Sequence, residues 1–203
     1  MHRLLMELQK GRFLVKTARK VIEEYVKSGK AQLPEDYAKE FERKSGVFTT
    51  IHTHPEHELR GCIGYPEPVM PLIRALVESA VSATKDPRFP PLSEKELGKI
   101  VVEVSVLTQP ELIRVKSSDE YLKKIKIGSD GLIIERGWNR GLLLPQVPVE
   151  WKWGVKQFLQ NLCMKAGLPP DTWLERGVKI YRFRSEIFSE KSPRGEVVKE
   201  EAG

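Results

Sequence analysis

Cys62 stands two residues after Arg60 in the run Leu59-Arg-Gly-Cys-Ile-Gly-Tyr65. On a strand, residues two apart share a face, so guanidinium and thiol project together while Leu59, Gly61 and Ile63 point the other way. A free thiol titrates near about 8.5, and a neighbouring cation lowers that value and enlarges the nucleophilic fraction. The chemistry this pair predicts is nucleophilic or redox work at Cys62. A plainer reading stands beside it: Cys62 is a small buried hydrophobe, and Gly61 and Gly64 admit close backbone packing or a bulge. No histidine lies in the same run to act as base. His52 and His54, in the facing strand, approach the thiol only if the register brings them there.

Three further groups carry chemistry. His52, His54 and His57 share the stretch from His52 to Glu58 with Glu56 and Glu58, a density of imidazole and carboxylate that invites zinc. A polar hairpin tip explains it without a metal, and neither a metal ligand set nor a cofactor is assigned. Glu103 lies among valines, where a carboxylate must be paired, bound to something, or facing a wet cleft; Arg60 and Arg88 are the expected partners. Asp86 and Arg88 occupy a loop stiffened by three prolines, which preorganises a site or seals one lobe. Gln146 lies between Pro145 and Pro148, with Trp151 and Trp153 close behind; such irregular segments line clefts, and large aromatics there stack on a ligand or pack between lobes. Cys163 belongs to a helix core.

The elements that position these residues follow from periodicity. Leu14, Ala18, Val21, Ile22 and Tyr25 recur at helical spacing, with Arg12, Lys16, Arg19 and Lys20 on the other side, so an amphipathic helix ends near Ser28-Gly29. A short helix over 34–43 is followed by a hairpin of two β-rich runs, Gly46 to Ile51 and Leu59 to Tyr65, around the histidine tip. A second helix spans 69–83 and stops at the proline loop. Ile100 to Thr108, dense in β-branched residues, reads as a buried strand. Ser117 or Ser118 starts a short helix through Leu122, and 126–127, 132–135 and 142–144 read as a three-stranded meander. A helix from Val155 to Ala166 and a last strand over 179–188 complete the chain.

Composition bounds the class. With 203 residues, 40% hydrophobic and 31% charged, the chain has enough apolar material for a sizeable core without disulfide staples. Two cysteines a hundred residues apart make no disulfide framework, which favours a reducing, cytoplasmic setting. No run approaches the roughly 18–20 apolar residues of a membrane span, and the N-terminus reads neither as a signal peptide nor as a membrane anchor. A net charge of +6 allows an acidic partner, but 34 basic against 28 acidic residues indicates nucleic acid only weakly. The basic side of the first helix is the best candidate for such contact, and a solvated helix face explains it equally well.

With these segments in place, the chain resembles the AMMECR family, named for the chromosomal region of Alport syndrome with midface hypoplasia and elliptocytosis. The resemblance rests on LRGCIGY from Leu59, DPRFPPLSEKEL from Asp86, VVEVSVLTQPELI from Val101, DGLIIERG from Asp130, GLLLPQVPVEWKWG from Gly141 and FLQNLCMKAGLPPDTW from Phe158. It implies an α+β fold of two closely packed lobes, the larger holding an antiparallel sheet and both termini, with LRGCIG near a cleft between them. It implies no fixed reaction; members have been linked to nucleic-acid processes and to Memo-like and radical-SAM neighbours. Carried over residue by residue, the candidates are Arg60, Gly61, Cys62, Gly64, Asp86, Arg88, Glu103 and Gln146, while the histidines sit at a variable hairpin tip. Lys152 stands where the resemblance leads one to expect glycine, which puts a close backbone approach there in doubt.

The expectation is therefore one domain of two intimately packed lobes over 1–190 with a polar tail over 191–203. Its site would be an enzyme's or a small-ligand-binding cleft around Arg60, Cys62 and Glu103, with Gly61, Gly64, Asp86, Arg88 and Gln146 contributing. The alternative is a non-catalytic module for protein or nucleic acid.

Overall fold

The computed structural model describes residues 6–200, so the first five residues of the N-terminal segment and the last three of the expected tail lie outside it. Helices and antiparallel strand pairs make an α+β fold, and the described chain divides into two compact units, 6–107 with 186–200 and 108–185.

The first unit is a five-stranded sheet under two helices. Helix α1 (Leu8–Ser28) buries Leu14, Val15, Ala18, Val21 and Ile22, and ends where Gly29, at φ 71°, donates its N–H to the Tyr25 carbonyl. After a 3₁₀ turn (Lys39–Glu42), all that forms of the short helix expected over 34–43, come β1 (Val47–Thr53), β2 (Leu59–Tyr65), α2 (Leu72–Ala83), a second 3₁₀ turn (Glu94–Lys99) and β3 (Ile100–Leu107). The sheet order is β2-β1-β3-β8-β9, with β8 (Ser185–Glu190) and β9 (Val197–Glu200) arriving from the far end of the chain. Residues 197–200 pair antiparallel with β8, so the segment expected as a polar tail completes the sheet. Period-two alternation decides its faces: Val47, Thr49, Ile51, Val102, Val104 and Val106 turn toward the helices and are buried, and the intervening residues lie on the opposite face.

Arg19 departs from its expected place on the side of α1 away from the core. It is only 6% exposed and forms a salt bridge with Glu190, 4% exposed, while Nη1 and Nη2 also donate to the carbonyls of Leu97 and Ile100 respectively. Glu190 also accepts the Val102 N–H at 3.0 Å. A buried pair this fully hydrogen-bonded ties α1 to β8 and to the start of β3; truncating one partner would strand a charge in the interior.

The second unit has a four-stranded sheet ordered β4-β7-β5-β6: β4 (Glu111–Leu112), β5 (Gly131–Arg136), β6 (Asn139–Leu143) and β7 (Lys179–Phe183). Helix α3 (Asp119–Lys124) precedes β5, while α4 (Val147–Glu150) and α5 (Val155–Lys165) follow β6. Of the expected three-stranded meander, β5 and β6 form the antiparallel hairpin, but 126–127 is not a strand, and β7 takes the place beside β5. Phe158, Leu159, Leu162 and Cys163 on α5 pack with Leu132, Ile134 and Ile180, which places Cys163 in the core as its helical spacing demands. No described helix is long and apolar enough to cross a membrane.

Candidate functional site

The β1–β2 pairing decides what Arg60 and Cys62 can do together. Thr50 faces Cys62 and Ile51 faces Gly61, but His52 faces Leu59, so Arg60 is the extra residue of a β-bulge. A bulge breaks alternation and re-aims its side chain. Arg60 accordingly leaves the thiol: its Nε donates to Glu96 Oε1 at 2.7 Å, and its guanidinium lies 5.9 Å from the Phe89 ring centre. Burial works to raise the Glu96 carboxyl, but hydrogen bonds from Arg60 and from the Ser93 hydroxyl and N–H bring it down to about 2. Arg60 is therefore a partner of the second 3₁₀ turn, where strand spacing alone had placed it beside the thiol.

Asp86 and Arg88 act on Cys62 through the backbone. β2 is a sheet edge, so on its open side Cys62 presents an N–H and a carbonyl with no strand to receive them. Asp86 Oδ2 accepts that N–H at 2.9 Å, and Arg88 Nη2 donates to that carbonyl at 3.2 Å. The two side chains are joined at 2.7 Å, and Asp86 also accepts the Arg88 backbone N–H. Together they pair with Cys62 as a neighbouring strand would, using charge-assisted bonds. The Asp86 carboxylate is 1% exposed while the Arg88 side chain is 55% exposed. Hydrogen bonds from Arg88 hold Asp86 well below the usual carboxylate range against the opposing effect of burial.

Gly61 makes room for this arrangement. A Cβ there would overlap the Ala83 carbonyl at the end of α2, and one on Gly64 would overlap the Phe48 ring. Both glycines permit close packing, the plainer of the two readings given for them.

The Cys62 side chain belongs to a row running across the sheet face opposite the helices. Thr50 stands between Cys62 on β2 and Glu103 on β3 and donates its hydroxyl to Cys62 Sγ at 3.2 Å. Burial pushes the thiol up, and the Thr50 hydrogen bond and the charge of Arg88 offset this only in part, so the resting group is a neutral thiol. The cation that acts on it is Arg88. Glu103 is not paired with Arg60 or Arg88; burial and the charge of Glu200 raise its carboxyl, against His57 and a hydrogen bond from Ser105. His52, on the same face of β1, has a buried Nδ1 with no hydrogen-bond partner among the described residues, and burial followed by the nearby His57 lowers its pKa. The two rings lie 4.4 Å apart. His54 instead borders a depression of about 440 Å³ with Glu56, Glu96 and Lys99. Among the described residues no three His, Cys, Asp or Glu side chains converge as a metal would require.

Gln146 belongs to the second unit, at the N-cap of α4, with its side chain exposed. Trp151 is 67% exposed and stacks on Trp153, which packs against the α5 core; Trp151 is thus a surface aromatic. Lys152 adopts φ 55°, so the glycine expected there answers a left-handed backbone. Thr50 escaped the sequence reading because its place beside Cys62 depends on the hairpin register; the alternation of VFTTIHT was its one available signal.

Comparison with known proteins bears on the chain's family and fold. The AMMECR1 family profile matches residues 15–188. Protein MJ0810 of Methanocaldococcus jannaschii is 62% identical over 195 residues, covering 96% of each chain. Protein PYRAB00100 of Pyrococcus abyssi is 54% identical over 92% of this chain and 93% of its own. The crystal structure of uncharacterized protein PH0010 from Pyrococcus horikoshii superposes with a TM-score of 0.76 at 49% identity, covering 96% of this chain and 98% of that one. With both sequence and fold matched over nearly its whole length, the chain belongs to the AMMECR1 family.

Proposed function

We propose that the first unit binds a small polar ligand on the helix-free face of its sheet, at Cys62, Thr50 and Glu103. The observation that carries this is the row itself: thiol, hydroxyl and carboxylate side by side on three adjacent strands, with the carboxylate joined to neither arginine. A carboxylate so placed favours a ligand bearing amine, amide or hydroxyl donors. Cys62 enters as a neutral thiol held in position by the Asp86–Arg88 clamp, which supports a contact or conditional nucleophile over a standing thiolate. Two free cysteines fit a reducing, cytoplasmic setting. Of the four basic residues named on α1, Arg19 is buried against Glu190, while Lys20 stays exposed 3.7 Å from Glu24, so the alternative of a nucleic-acid module has a smaller basic face there than the spacing suggested.

The test is equilibrium dialysis of wild type, Glu103→Gln and Thr50→Val against a pooled extract of polar metabolites, read by mass spectrometry. A ligand retained by wild type and lost by both variants, with melting temperatures unchanged, is the expected result. Retention that neither substitution alters would overturn the assignment. Alkylation of Cys62 by iodoacetamide should be slower at neutral pH than that of a model thiol, and unchanged by Arg60→Ala.

A further inference from the structure

The second unit holds a groove of about 650 Å³ at the edge of its sheet. It opens where two strands part: β4 pairs with β7 through Leu112 and Tyr181, the Ile113 N–H still reaches the Ile180 carbonyl, and beyond that no backbone hydrogen bond joins the two segments. Residues 114–118 then form one wall and 174–179 the other. The first wall is fixed to α3, since Lys124 Nζ donates to the Arg114 carbonyl at 2.7 Å and Glu120 accepts the Lys116 N–H at 3.3 Å. The second turns at Gly177, φ 85°.

The charge of the groove is one-sided. Arg114 and Lys116 line one wall and Arg176 and Lys179 the other, and none of the four is in an ion pair among the described residues. Glu175, the acidic residue among those lining it, is committed to a salt bridge with Arg136. The asymmetry extends to the whole unit: residues 108–185 carry 14 Lys and Arg against 8 Asp and Glu, a net +6 that equals the formal charge of the entire chain. Tyr121 and Trp173, both core residues of the unit, also line the groove, and the buried Trp173 Nε1 donor has no partner among the described residues.

We propose that this groove binds a small phosphorylated molecule. Four cations on facing walls suit the two or more charges of a diphosphate, and their attraction for one another's counter-ion is strongest where walls of protein displace water. The volume lies within the range of small-molecule sites. Tyr121 and Trp173 offer an apolar floor for a planar or carbon-rich remainder, and the unused indole N–H offers a donor to an acceptor on it or to a bridging water.

Titration calorimetry on the full chain with ADP, inorganic pyrophosphate and adenosine tests this. ADP and pyrophosphate should bind and adenosine should bind far more weakly. Arg114→Gln combined with Lys179→Gln should weaken ADP at least about tenfold, as loss of charge-assisted contacts requires, whereas Lys156→Gln with Lys165→Gln, on α5, should leave it unchanged. The indole N–H resonance of Trp173 should shift on adding ADP to the wild-type protein, a readout independent of any substitution. The proposal fails if neither phosphate compound binds, if the α5 pair weakens binding as much as the groove pair, or if a single-stranded oligonucleotide displaces ADP from the groove with a steep salt dependence.

Discussion

Replacing Asp86 with alanine should loosen the first unit by removing the acceptor that closes the edge of β2. Two backbone N–H groups, of Cys62 and Arg88, lose a charged partner at 2.9 and 3.0 Å. Each such loss in a buried setting costs about 1–3 kcal/mol. The guanidinium of Arg88 is mostly solvated and adds little, since water takes over from the carboxylate. A total of about 3 kcal/mol is expected, or a fall in Tm of roughly 6–12 °C for a chain of this size. Acid supplies the sharper check. The folded-state pKa of Asp86 is depressed, so its contribution is complete above the ordinary aspartate value near about 3.9 and is lost as pH falls through the lower folded value. Urea unfolding of wild type and Asp86→Ala at a series of pH values should show a constant stability gap from pH ~7 to ~5, then a gap narrowing by about 1.4 kcal/mol per pH unit below about pH 4. A loss under about 1 kcal/mol at neutral pH, or a gap indifferent to acid, would refute the view of Asp86 as a substitute strand.

Other substitutions test neighbouring parts of the argument. Gly61→Ala drives a methyl into the Ala83 carbonyl and should cost about 1–3 kcal/mol in urea melts, with Gly98→Ala, where nothing lies within reach, as a neutral comparison. Glu190→Gln leaves Arg19 charged and buried and should destabilise by about 3–5 kcal/mol, whereas Arg19→Met with Glu190→Leu should recover most of that loss. Lys152→Gly relieves a left-handed backbone and should raise stability by up to about 1 kcal/mol, while Lys152→Val should lower it. Calorimetric melting curves of the two Lys152 variants decide the sign.

The sequence alone determined the elements whose burial is periodic. α1, β3 and α5 were legible because a helix or strand facing a core repeats its apolar residues every 3.6 or two positions, whatever it packs against. Gly29 marked the end of α1 for the same local reason, a backbone conformation that glycine adopts freely. The motif around Cys62 was legible as a place but not as an arrangement. Whether Arg60 meets the thiol depends on one extra residue in β2, and a bulge alters the pairing of the strand without altering the apolar pattern that announces it. Arg19 met Glu190, 171 residues away, and β9 found β8 because tertiary packing created a buried charge and an open edge that needed partners. Those partners are chosen by geometry across the whole chain, so only the folded structure could separate Arg60, bound to Glu96, from Arg88, which holds Cys62 in place.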